Sequence, residues 1–71
     1  MFIKISNNRR LNLNSVIDYK PFEKTSQNNT HYLIKLKYQD NKEEDLSFLE
    51  SEEKRNSFLK LLDDNLLLNE N

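Results

Sequence analysis

The chain has 71 residues, 35% apolar and 32% charged, with a net charge of −1, one Pro, and neither Gly nor Cys. A chain this short holds one small domain over residues 1–71, and it must bury nearly every Leu, Ile and Phe to offset an ordering entropy of roughly 1.5 kcal/mol per residue. The size excludes a deep cofactor cleft, and the composition excludes a Gly-dependent phosphate loop, disulfides and Cys-based zinc sites.

Met1–Ser6 alternates, with Ile3 and Ile5 on one face and Phe2 and Lys4 on the other, which is the period of a strand. Asn7-Asn8 marks a turn, Asn being the nearest substitute for Gly at positive φ. Arg10–Leu13 alternates again and can pair back on the first strand, and Asn14-Ser15 interrupts the pattern. Val16–Phe22 resumes it, with Ile17 and Tyr19 on a shared face and Pro21 pointing to an edge or a strand end. Glu23–Thr30 is polar throughout and reads as the longest, most mobile loop. His31–Tyr38 is the clearest strand: Tyr32, Ile34, Leu36 and Tyr38 share one face, and His31, Leu33, Lys35 and Lys37 the other. Asp40-Asn41 forms a tight turn, and Glu43–Leu49 returns with Leu46 and Phe48 inward.

Ser51 before Glu52-Glu53 is a helix start, a side-chain oxygen for orphan amides followed by acids at the positive end of the dipole. Phe58, Leu59, Leu61 and Leu62 form an apolar stripe. Asn65 falls in the middle of that stripe and reads as a C-terminal cap, which gives a helix over about 51–65 and a frayed tail over 66–71. The expectation is an α+β domain: an antiparallel β-meander of four or five short strands with one C-terminal α-helix packed on one face. In element order alone this resembles the four-strand-plus-helix unit of the dimeric single-stranded-DNA-binding coactivators. The resemblance implies an exposed sheet face that meets nucleic acid, although the chain's near-zero net charge departs from such binders.

Charge divides unevenly along the chain. Residues 1–42 carry a balance of +5, eight Lys and Arg against Asp18, Glu23 and Asp40, and residues 43–71 a balance of −6, with Lys54, Arg55 and Lys60 against nine acids. The two halves can neutralise each other within the fold or across a contact with a partner. The acids diverge in the strand pattern instead of converging, so no metal is expected. His31 has no second His and no Cys to join it, so no catalytic group and no cofactor is expected either. No stretch reaches the roughly 20 apolar residues of a membrane span, and the N-terminus lacks the form of a signal peptide, so the expectation is a cytoplasmic protein without a membrane partner.

Two surfaces remain. Leu66, Leu67 and Leu68 beside an exposed Leu33 or Phe2 form an apolar patch that is costly to leave wet, at roughly 1.5–3 kcal/mol per leucine, so the tail either folds back on its own sheet or meets a partner, with Lys35 and Lys37 supplying charge nearby. They point to a non-catalytic interaction module of bacterial or phage type, a homodimer that docks a protein partner or itself and takes no small-molecule substrate. The alternative is a single-stranded nucleic-acid binder that uses Phe2, Lys4, His31, Lys35 and Lys37 on the basic sheet face.

Overall fold

The computed structural model describes residues 1–67, and its elements run β1 (Phe2–Ser6), β2 (Arg9–Asn12), a 3-10 turn (Leu13–Ser15), β3 (Val16–Ser26), β4 (Asn29–Tyr38), β5 (Glu43–Ser47) and α1 (Glu52–Leu66). The class is α+β with antiparallel pairing, but the expected single meander divides into a two-stranded sheet, β1-β2, and a three-stranded sheet, β3-β4-β5. The division lies at Asn14-Ser15, the interruption seen in the sequence. Asn12 Oδ1 accepts from the Asn14 N–H at 3.1 Å, the Leu13 N–H donates to Met1 O at 2.8 Å, and Ser15 O accepts from the Gln39 N–H at 2.9 Å. These bonds wind the chain into a 3-10 turn, and a bulge between Val16 and Asp18 follows, so β2 leaves its hairpin without pairing with β3.

The second correction concerns Glu23–Thr30. It is no loop: β3 runs eleven residues to Ser26, and only Gln27-Asn28 turn the chain before β4 begins at Asn29. Gln27 takes φ 54°, as the first central residue of a primed hairpin turn must. This end of the hairpin is solvated on both faces, so no apolar residue is needed there and the alternation is invisible in polarity. Thr25 and Thr30, a cross-strand pair, bring their hydroxyls to 3.1 Å.

Ile34 and Leu36 of the central strand are fully buried, and with Leu11, Leu13, Val16 and Leu62 they make the core. Its contributors show that α1 and the β1-β2 hairpin roof the same face of the three-stranded sheet, the one that carries Tyr32, Ile34, Leu36 and Tyr38. Leu46, Phe48 and Phe58 close the core, the two rings 5.5 Å apart between centroids.

Ser51 caps α1 as expected, its Oγ accepting from the Lys54 N–H at 3.1 Å. The far end differs. Asn65 lies inside the helix and donates from Nδ2 to Leu61 O at 2.8 Å, so the chain stays helical through Leu66, which packs on the core. An amide that satisfies itself on its own helix can stand beside an apolar stripe without ending it. Leu67 follows as the C-terminal cap residue, and Leu68, with the rest of the expected tail, falls outside the described residues.

Candidate functional site

The unroofed face of the three-stranded sheet follows from the register. Lys20, Phe22 and Lys24 of β3 stand beside Lys35, Leu33 and His31 of β4, and Asp45 and Ser47 of β5 complete two of those rows. The face was expected to expose Leu33, but Leu33 is 8% exposed. It lies on the central strand between Phe22 and Ser47, and its neighbours cover it. Phe22 takes the central place instead, with Lys24 Nζ and Lys35 Nζ each 5.9 Å from its ring centroid. Lys35 also lies 3.7 Å from Glu43 and 3.6 Å from Asp45, whereas Lys20, Lys24 and Lys37 make no ion pair among the described residues.

His31, Lys35 and Lys37 therefore do share a face. Phe2 and Lys4 do not join them: they sit on β1, in the other sheet, and alternate with Ile3 and Ile5, which face the core. Phe22, Lys20 and Lys24 were not singled out from the sequence. Their signal was the continued i, i+2, i+4 spacing across what looked like the start of a loop.

A second surface lies at the outer edge of β3. The bulge breaks the expected pairing of Ile17 with Tyr19: Val16 takes the buried place, Ile17 is 54% exposed, and Tyr19 turns inward. Between this edge and the C-terminal half of α1 runs a groove of about 500 Å3 lined by apolar Ile17, Pro21, Leu59, Leu66 and Leu67, with Tyr19, Asp18 and Asp63 as its polar part. Leu67 is 48% exposed at its rim, while Leu66 is partly buried against the core. Of the predicted leucine patch, then, Leu67 is available here and Leu33 is remote.

The backbone beneath the groove is open. Tyr32 exchanges bonds with Phe48 and Leu49 of the β5 arm at 2.8 Å, and the Tyr38 N–H donates to Lys42 O at 2.8 Å, so even-numbered residues of β4 bond towards β5. Odd-numbered residues of β4 therefore bond towards β3, where their partners are Asp18, Lys20 and Phe22. The N–H and C=O groups of Tyr19 and Glu23 and the C=O of Pro21 face outward. Pro21, which has no N–H, stands at a position that needs none. Among the described residues no strand pairs with this edge.

Polar clips hold the roof to the sheet on both sides. On the β3 side, Tyr19 Oη donates to Asp63 Oδ1 at 2.9 Å, and burial together with that bond pushes the phenol up to about 12. Arg55, buried, donates from Nη1 to Phe22 O at 3.1 Å and lies 5.3 Å from the Tyr32 ring centroid. On the β5 side, Glu44 is gripped by both guanidinium nitrogens of Arg9, one of them at 2.6 Å, and accepts from Tyr38 Oη at 2.6 Å. The Arg9 bonds hold the Glu44 carboxyl below its usual range, ahead of the opposing effect of burial. Burial and Glu44 push the Tyr38 phenol up to about 12.

Among the described residues no group of three His, Cys, Asp or Glu side chains is placed to hold a metal ion, and no helix is long and apolar enough to cross a membrane. No protein-family model, no curated protein and no solved structure significantly matches this chain.

Proposed function

We propose that this chain is a non-catalytic protein-interaction module that docks an extended segment of a partner along the open edge of β3. The observation that carries the reading is the coincidence of two unmet needs at one place. Outward backbone donors and acceptors at Tyr19 and Glu23 call for a strand, and the groove above them, with Ile17 and Leu67 half exposed, calls for apolar side chains from it. Main-chain bonds would supply affinity and the groove would supply side-chain selection, the usual division of labour in strand addition.

The test is capture from the native host with wild-type protein and with Ile17→Lys, a change at an exposed site that leaves the core intact. Proteins held by the wild type and lost with Ile17→Lys support docking at this edge. Identical capture by both discards it.

A second reading is favoured by Phe22 set among Lys20, Lys24, Lys35 and Lys37 with His31 at the end of the row, an aromatic within a basic face of the kind that holds single-stranded nucleic acid. Against it stand Asp18, Glu43 and Asp45 on the same face. Fluorescence anisotropy with a labelled oligonucleotide at low and moderate salt separates the readings. Binding that weakens steeply with salt and is lost in Lys20→Glu/Lys24→Glu supports nucleic acid, and no binding at low salt removes it.

A further inference from the structure

Resting on the docking reading above, we infer that the segment paired on β3 is β3 of a second copy, joined antiparallel about a two-fold axis at Tyr19. Backbone geometry and charge together select this register. An antiparallel ladder must oppose outward-bonding residues to outward-bonding residues, so the axis passes through a residue and not between two, and a joint that covers the groove, lined on β3 from Val16 to Pro21, keeps it between Asp18 and Phe22. On the bare face each choice brings different charges together. An axis at Asp18 opposes two aspartates, an axis at Lys20 opposes two lysines, and an axis at Phe22 sets Lys20 against Lys24 twice. Each of these places like charges directly opposite, which destabilises a strand pair.

Two registers remain. An axis at Pro21 joins Asp18 to Lys24 but sets Pro21 against Pro21, where neither has an N–H to give and the ladder fails at its centre. An axis at Tyr19 sets Asp18 of each copy against Lys20 of the other, two opposite-charge pairs. It lets the two Tyr19 residues exchange both of their backbone bonds and sets Pro21 opposite Ile17, the residue of the bulge, so that its missing N–H falls at the end of the ladder and not at its centre. The same axis runs through the middle of the groove, whose lining spans Val16 to Pro21 on β3. Ile17 of each copy, half exposed in the monomer, then stands opposite Pro21 of the other at the partner's groove. The joint is self-complementary, as a two-fold interface must be. It would extend the sheet to six strands with both helices on one side.

The experiment is sedimentation equilibrium of the full chain, 8.6 kDa as a monomer, at about 100 μM protein. The wild type sediments at twice the monomer mass. Asp18→Lys alone and Lys20→Asp alone each weaken the dimer at least about ten-fold, since each creates two like-charge contacts. An equal mixture of the two variants returns to the dimer mass, because each then offers the charge the other needs. Lys24→Asp leaves the dimer unchanged in this register and would break it in the one centred on Pro21. Far-UV circular dichroism confirms that these exposed substitutions leave the fold in place.

A monomeric wild type, a mixture that fails to recover, or a dimer indifferent to Asp18→Lys overturns self-pairing. Dimerisation that appears only when residues 68–71 are removed also overturns it, by placing the chain's own tail on the edge. Docking is tested separately: a monomeric wild type whose host partner is lost with Ile17→Lys keeps the edge as a site for a different protein, and identical capture by wild type and Ile17→Lys discards docking as well.

Discussion

The two edges of the three-stranded sheet are built to different standards. The β5 edge is short, Glu43–Ser47, and the carboxylates of Glu43 and Asp45 stand beside its outward backbone groups. Its neighbour Glu44 ties it to the β1-β2 hairpin through Arg9 and to the end of β4 through Tyr38. The β3 edge is eleven residues long, with apolar Ile17 and Leu67 beside it, and its backbone devices against pairing are Pro21 and the bulge between Val16 and Asp18. Short, charged and flanked edges are how sheets avoid unwanted partners, and a long edge beside an apolar groove is how they invite one. Five strands in a small chain would not by themselves say which edge works; the contrast between the edges does.

The contrast can be broken most forcefully from the core. Leu62 is fully buried between α1 and the sheet, so Leu62→Ala should cost about 2–5 kcal/mol in urea unfolding and loosen the helix that roofs the groove. Arg55→Ala comes next, at about 2 kcal/mol, because it strips a charged donor from Phe22 O and a packed side chain from Tyr32. Both changes act on the β3 side. Hydrogen exchange should quicken in α1 and β3 before it does in β1 and β2.

Glu44→Gln acts on the opposite side and should cost about 1 kcal/mol at neutral pH, a modest figure because Arg9 is partly solvated. Its pH dependence is the sharper signature. Glu44 titrates below its ordinary value of 4.5 in the folded state, so its contribution is present above pH 4.5 and disappears as pH falls through the depressed value. The gap between wild type and Glu44→Gln should therefore close in acid. Tyr19 and Tyr38 carry the alkaline counterpart. With folded values near 12 against an ordinary 10, their contribution is complete below pH 10 and lost as pH rises towards 12. Ser51→Ala should cost about 1 kcal/mol, the usual worth of an N-cap, and should leave both edges as they are.

Much of this architecture was legible in the residues. Alternation placed Tyr32, Ile34, Leu36 and Tyr38 on the roofed face, and Ser51 with two acids located the helix start, because each is a local rule acting on local geometry. The distal half of the β3-β4 hairpin was hidden, since a strand solvated on both faces has no polarity period to read. The break between the two sheets was visible only as an interruption at Asn14-Ser15; which strands pair across it is decided by bonds to Met1 and Gln39, distant in sequence. Leu33 was misplaced because a residue on a bare face of a central strand is covered by its neighbours, and Ile17 because one bulge reverses a face. The groove joins β3 to α1 across some forty residues of chain, and no spacing rule reaches that far.

The most direct test of the open edge is amide hydrogen exchange on β3 as protein concentration is raised. The Tyr19 N–H points outward and, in the two-fold pairing, meets the partner's Tyr19 carbonyl, while the Glu23 N–H lies beyond the overlap. Exchange at Tyr19 should slow with concentration as the dimer fills, with Glu23 remaining fast throughout. If Tyr19 exchanges as quickly as Glu23 at every concentration, no second copy pairs with β3 and the two-fold joint at Tyr19 is wrong.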